Sequence, residues 1–253
     1  MPRFAPIPLA SVALLVLSCQ NQPQNTQNLP VGPDGKQQFT AVYGTPVLDG
    51  SGADDVWDLS DWLPINQVWA GTPPSPDDFS GRYKLAWDEN NLYILAEITD
   101  DSLLDIHTDV MERFWDDDCL EIFVDEDASG SKNQQPYNTF NYNISLDGLV
   151  RDIAPDSSFR FFDNHCLTRR ITRGHVSTWE IAVRIFDGNQ FDEKQENVPK
   201  LLKAGKKMGF ALAYSDNDRS PERENWIGNV ALPGQDKKQE RINPDFFGVL
   251  TLQ

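Results

Sequence analysis

The chain has 253 residues, a formal net charge of -17 and a pI near 4.4. That balance offers no basic stripe to neutralise phosphates, which argues against nucleic acid as a partner. At 39% hydrophobic residues and a mean hydropathy of -0.50, the mature part reads as globular, and it is long enough for one large β-sandwich without a second domain.

Residues 1–18 read as an export signal. Arg3 gives a weak positive start, and the apolar run 10–17 is too short to span a bilayer. The run closes in Val16-Leu17-Ser18-Cys19, a small residue ahead of a cysteine, which resembles a bacterial lipobox. The expectation is lipidation at Cys19 and an exported, membrane-anchored protein at the cell surface or in the periplasm. The alternative is an ordinary signal peptide cut nearby. Residues 19–38 are rich in Gln, Asn, Pro and Gly, bury too little apolar surface to fold, and read as a flexible tether. The folded domain is expected over 39–253, beginning near Phe39. With Cys19 lipidated, Cys119 and Cys166 remain. One disulfide is compatible with an oxidising compartment, but the reading favours free thiols with Cys119 packed against a sheet.

No long helical periodicity follows. Strands are expected at 83–87, 92–98, 119–124, 139–145, 167–172, 177–185, 208–215, 226–230 and 248–252, separated by turn signals such as Asp88-Glu89-Asn90-Asn91 and Asp147-Gly148. Many short strands with this punctuation imply an all-β, antiparallel sandwich with long loops, and the lack of helices disfavours a nucleotide crevice. Two of these strands run into carboxylate clusters, which suggests a hard cation such as Ca²⁺. The candidates are Asp100, Asp101, Asp125, Glu126 and Asp127, with Asp49 and Asp54 from the opening stretch. His107, His165 and His175 lack the spacing of a zinc pair and read as surface or edge residues.

Strand parity points to a site. Leu120, Ile122 and Val124 face one way, and Cys119, Glu121, Phe123 and Asp125 the other. Phe140, Tyr142 and Ile144 share a face opposite Asn141, Asn143 and Ser145. With the apolar faces in the core, Glu121 and Asn141 project from one sheet surface, near Trp115. Carboxylate and amide groups with a neighbouring indole suit sugar hydroxyls and the C–H face of a pyranose. A merely solvated strand face gives the same parity.

Several stretches together carry a resemblance. YGTPVLDGSGADDVW, KLAWDENNLYILAEITDD, WDDDCLEIFVDED, GFALAYSDND and NPDFFGVLTL, in this order and spacing, resemble the family 9 carbohydrate-binding modules over about 43–252. The resemblance implies a DOMON-like β-sandwich, structural calcium, and sugar binding without catalysis, accessory to xylan- or cellulose-like polysaccharide degradation. It places Trp115 at the first of two clamping tryptophans and Glu121 at a sugar-binding glutamate. Asn141 falls where an arginine is expected, Ala213 where a glutamine is expected, and Arg241 nearest the second tryptophan. Trp226 matches a different, strand tryptophan, and Trp69 is a candidate replacement ring. Arg241 could stack, hydrogen-bond a hydroxyl or favour an acidic sugar. The partners implied are a poly- or oligosaccharide and, through the lipid alone, a membrane. Three other readings compete. One is a glycoside hydrolase using carboxylates such as Asp116 and Glu121. Another is a haem-binding electron-transfer domain with Met111 or a histidine as axial ligand. The third is a sandwich that has lost its sugar site.

Overall fold

Alternation of side chains at period two lets each strand offer one face to a core and the other to a ligand or a covering loop. The computed structural model describes residues 29–107, 109, 111–130, 137–232 and 242–253. The export segment, Cys19 and Arg241 lie outside them. The strands are β1 (Gln38–Tyr43), β2 (Leu63–Ile65), β3 (Gln67–Ala70), β4 (Phe79–Trp87), β5 (Leu92–Asp100), β6 (Cys119–Asp125), β7 (Thr139–Ser145), β8 (Val150–Ile153), β9 (Phe159–Phe161), β10 (Cys166–Arg173), β11 (Val176–Val183), β12 (Lys207–Asp216), β13 (Asn225–Gly228) and β14 (Gly248–Leu252).

Two layers form. The first runs β10-β11-β5-β4-β1, with β2 added to β4; the second runs β14-β12-β6-β7-β8-β9, with β13 and β3 branching from β12. β1 joins them. Its first residues pair in parallel with β14, and Val42 and Tyr43 pair in parallel with β4. Most other neighbours are antiparallel, as expected for a sandwich. Tyr83, Leu85, Ile94, Trp179 and Ile181 from the first layer meet Leu120, Ile122, Tyr142, Phe210 and Leu212 from the second, all essentially inaccessible. Phe39, on the joining strand, touches both layers, 6.4 Å from Tyr83 and 5.9 Å from Phe210 between ring centroids. Each such side chain contributes about 1.5–3 kcal/mol by burial. The hydroxyls this packing buries are bonded: Tyr83 Oη accepts from Asn229 at 2.7 Å, and Tyr214 Oη donates to Asp100 at 2.8 Å.

All nine expected strands are present, with ends shifted by at most four residues. β1, β2, β3, β8 and β9 were not expected. β2 and β3 are interrupted by Pro64 and Asn66, and β8 and β9 have four and three residues with charges in them, so neither pair shows a readable period. Within 29–38, Val31 bridges to Gln37 and Leu29 packs on the core, so the described end of the expected tether is docked on the sandwich. Cys119 and Cys166 are buried free thiols.

The outer face of the first layer is covered. Glu180, on β11 and fully buried, accepts from the Asp49 and Gly50 amides at 3.1 and 2.6 Å and from the Trp57 indole at 3.1 Å. The Leu-Asp-Gly and Asp-Asp-Val-Trp stretches thus fasten residues 48–57 over Tyr93, Leu95 and Ala182.

Candidate functional site

The outer face of the second layer is built by register. Ala213 stands opposite both Gly228 and Glu121, Glu121 opposite Asn143, Asn143 opposite Arg151, and Arg151 opposite Phe161. Paired residues share a face, so one row crosses six strands. Asn141, paired with Phe123, lies one step along the same face. Small residues at Gly209, Ala211, Ala213 and Ser215 keep β12 low beneath it.

Glu121 lies at the centre and is only 2% exposed. Burial pushes its carboxyl up, and Arg223, Ser215, Trp226 and Asn141 pull it back. Ser215 Oγ donates to it at 3.0 Å, and Arg223 Nη1 approaches to 3.6 Å. Arg223 also donates to Ser215 and lies over the Trp226 ring, 4.2 Å from its centroid. Asn141 Oδ1 is buried without a hydrogen-bond partner, and the Trp226 indole N–H, which lowers the Glu121 carboxyl, makes no hydrogen bond of good geometry. Orphaned polar atoms beside a buried carboxylate are costly, and they leave hydrogen-bonding capacity on this face.

Trp115 is half-buried at the β8–β9 end of the face, 5.2 Å from Phe159 and 5.1 Å from Phe114. Its loop is fastened to the Arg223 loop, because Asp116 accepts from the Arg223 amide at 3.1 Å and from Arg113 at 2.9 Å. The structure therefore brings Trp115, Glu121 and Asn141 to one face. Trp69 is on that side too, but it is filled in. It is 4% exposed, lies edge-on to Trp226 at 4.9 Å, and packs so tightly on Gly228 that a Cβ there would meet it at 2.0 Å. It is a wall of the site and offers no free ring. Ala213 cannot reach past one carbon, and Arg223 supplies the polar neighbour that Glu121 lacks on that side.

The carboxylates gather elsewhere, at the end of the sandwich where β5, β6 and β12 meet. Asp100, Asp118 and Asp216 bring carboxylate oxygens within 4.8 Å of one another, all buried, and Asp78, Asp101 and Asp218 form a second, half-exposed group beside them. None of the six takes part in an ion pair among the described residues. Burial first, then mutual repulsion, pushes Asp118 up to about 9 and Asp216 to about 7, and raises Asp100. Tyr214, Ser102, Leu104 and Asn217 donate to the buried group, yet Asp216 Oδ1 has no partner. An all-oxygen set without a counter-cation, holding an orphaned buried oxygen, fits a hard divalent ion.

Asp100 and Asp101 are in these groups; Asp49, Asp125 and Glu126 are not. Asp49 caps the Ser51 amide on the opposite face, Asp125 accepts from Gly130, and Glu126 is held by Lys200 and Lys206. Asp54 accepts from Val47, and Asp127 from Ser129. Asp78, Asp118, Asp216 and Asp218 were missed, although the rule that selected Asp100, carboxylates at a strand end, applies to Ser215-Asp216-Asn217-Asp218 as well. Arg223 and Arg151 had no sequence signal.

His165 is not a surface residue. It is 3% exposed among Phe140, Phe162, Phe186 and Phe191, and its Nδ1 lies 2.9 Å from Tyr142 Oη. Burial drives it down to about 3, so it is neutral. His107 is bound to Asp117 at 2.8 Å.

A family model described as carbohydrate family 9 binding domain-like matches residues 48–253. The exoglucanase XynX of Acetivibrio thermocellus is 36% identical over 208 residues, covering 79% of this chain and 17% of that protein. An endo-1,4-beta-xylanase A of Thermotoga neapolitana is 34% identical over 107 residues, 42% of this chain and 10% of that protein. The chain thus spans less than a fifth of these relatives. A family 9 carbohydrate-binding module of Caldicellulosiruptor kristjanssonii, solved with cellotriose, superposes with a TM-score of 0.65 at 23% identity, covering 86% of this chain and 94% of that one. This likeness gives the β-sandwich fold.

Proposed function

The chain belongs to the carbohydrate family 9 binding domain-like family, and from that premise we propose that it binds a poly- or oligosaccharide on the Glu121 face without breaking a bond. The observation that carries this reading is the pairing of a half-buried indole, Trp115, with a buried polar row that holds unsatisfied atoms at Asn141 and Trp226. The ring stacks on a pyranose C–H face, and Glu121, Asn141 and Asn143 bond its hydroxyls.

The role is that of an accessory to the degradation of xylan- or cellulose-like polysaccharides, by analogy with the enzymes that carry similar segments. The lipobox-like run ending in Cys19 supports a lipid tether and an exported, membrane-anchored location. Calcium, held by Asp100, Asp118 and Asp216, supplies the missing positive charge and ties β5 to β6 and β12. Asp118 also accepts from the Leu104 amide, so the same cluster steadies the loop that carries Trp115.

A glycan array with and without Ca²⁺ tests the proposal. Binding to a defined glycan, lost in Trp115→Ala, is the expected result. A folded, calcium-loaded protein that binds no glycan would mean that the sandwich has lost its sugar site.

A further inference from the structure

Two arginines lie on the Glu121 face, and they are held differently. Arg223 is paired with Glu121 and bonded to Ser215. Arg151, in the middle of the cross-strand row, is only 4% exposed, and its Nε has no hydrogen-bond partner. Arg113 and Arg160 each have carboxylate partners, but Arg151 stands in no ion pair within 4.0 Å among the described residues. Its guanidinium lies over Phe114 at 5.1 Å and near Phe161 at 6.0 Å. Asp147, Asp105 and Asp163 act on it only from farther off, and burial is the largest influence on it, disfavouring its charge. Cation–π contact is worth roughly 0.5–2 kcal/mol, less than the several kcal/mol that burying an ion costs. The site keeps a desolvated cation that its own side chains do not neutralise.

We propose that the sugar this face binds carries a carboxylate, and that Arg151 receives it; the ligand class is a glycan bearing a uronic acid. This inference rests on the glycan-binding reading of the same face. A planar fork of N–H donors matches a carboxylate, as a neutral hydroxyl does not. Trp115 and Phe159, packed together beside Arg151's cross-strand neighbour Phe161, are placed to hold the ring that bears the acid. The net charge of -17 repels anions at long range, so a local, desolvated arginine is the kind of group such a ligand needs.

Isothermal titration of the calcium-loaded protein with three probes decides it. These are a xylo-oligosaccharide with one glucuronic acid branch, the same molecule with its carboxyl reduced to the alcohol, and the unbranched oligosaccharide. The acid is expected to bind about tenfold or more tightly than its reduced form, the factor that one charge-assisted hydrogen bond supplies. Arg151→Gln should erase that ratio, and Arg151→Lys, which keeps charge without the fork, should reduce it. Should the Gln variant fail to fold, the Lys variant gives the reading. Equal binding of the acid and its reduced form would overturn the inference and leave the glycan reading standing. A preference unchanged in either variant would overturn the assignment to Arg151. Absence of binding to all three, and to cello-oligosaccharide, would overturn both.

Discussion

Each layer of the sandwich buries one glutamate on its outer face, and the two are treated in opposite ways. Glu180 accepts two backbone amides and an indole N–H, all from a segment of the same chain that closes over it. Glu121 receives one hydroxyl at 3.0 Å and a guanidinium only at 3.6 Å, with the Trp226 indole N–H short of good hydrogen-bond geometry and the Asn141 amide oxygen unpaired beside it. A carboxylate saturated by its own chain holds structure, and one left short of partners keeps capacity for a ligand. Trp57 and Trp115 differ in the same sense: the first is sealed and spends its N–H on Glu180, while the second remains half-buried.

The largest expected effect comes from withholding the proposed calcium, because Asp118 of the cluster holds the Leu104 amide in the loop on the Glu121 side. At an ion concentration a thousandfold above Kd the linked stabilisation is about 4 kcal/mol. The sign with pH follows from raised carboxyls: Asp216, up to about 7, and Asp118, up to about 9, are protonated in the metal-free fold where the unfolded chain is ionised. Their contribution is therefore full below about pH 4 and is lost as pH rises through 7 and 9. Thermal melts in chelator should fall across that window, and added Ca²⁺ should flatten the fall. A melt insensitive to chelator at pH 8 would remove the ion from the account.

Next is Glu180→Ala, which strands three donors and should cost about 3 kcal/mol or more in urea unfolding. Glu121→Ala should cost far less stability and abolish glycan binding. If the two variants lost stability equally, the contrast between the faces would fail. Trp115→Ala should weaken binding by about 2 kcal/mol, roughly thirtyfold, with the fold kept. A separate, pH-dependent effect lies away from both faces. His165, neutral and lowered to about 3, contributes stability that is present above its ordinary value near 6.5 and lost as pH falls toward 3. The loss is on the order of 1 kcal/mol per pH unit, and unfolding of His165→Phe between pH 4 and 7 should lack it.

Much of this was legible in the sequence because period-two alternation is a local signal. Parity alone placed Glu121 and Asn141 on one face, and the register bears that placement out. What was hidden depends on contacts distant in the chain. Arg223 reaches Glu121 across about a hundred residues, Trp69 joins the wall only because β3 pairs with β13, and Glu180 gains its partners from 130 residues upstream. The carboxylate cluster was half visible: strand-end acids were the right rule, but which ends meet is decided by the order of β5, β6 and β12.

The most direct test is to follow the indole N–H signals of the 7 tryptophans by NMR while titrating a xylo- or cello-oligosaccharide into the calcium-loaded protein. Shifts at Trp115 and Trp226, with Trp57 and Trp179 unmoved, are the predicted result. Shifts confined to Trp57 or Trp62, on the Glu180 side, would contradict the assignment of the binding face.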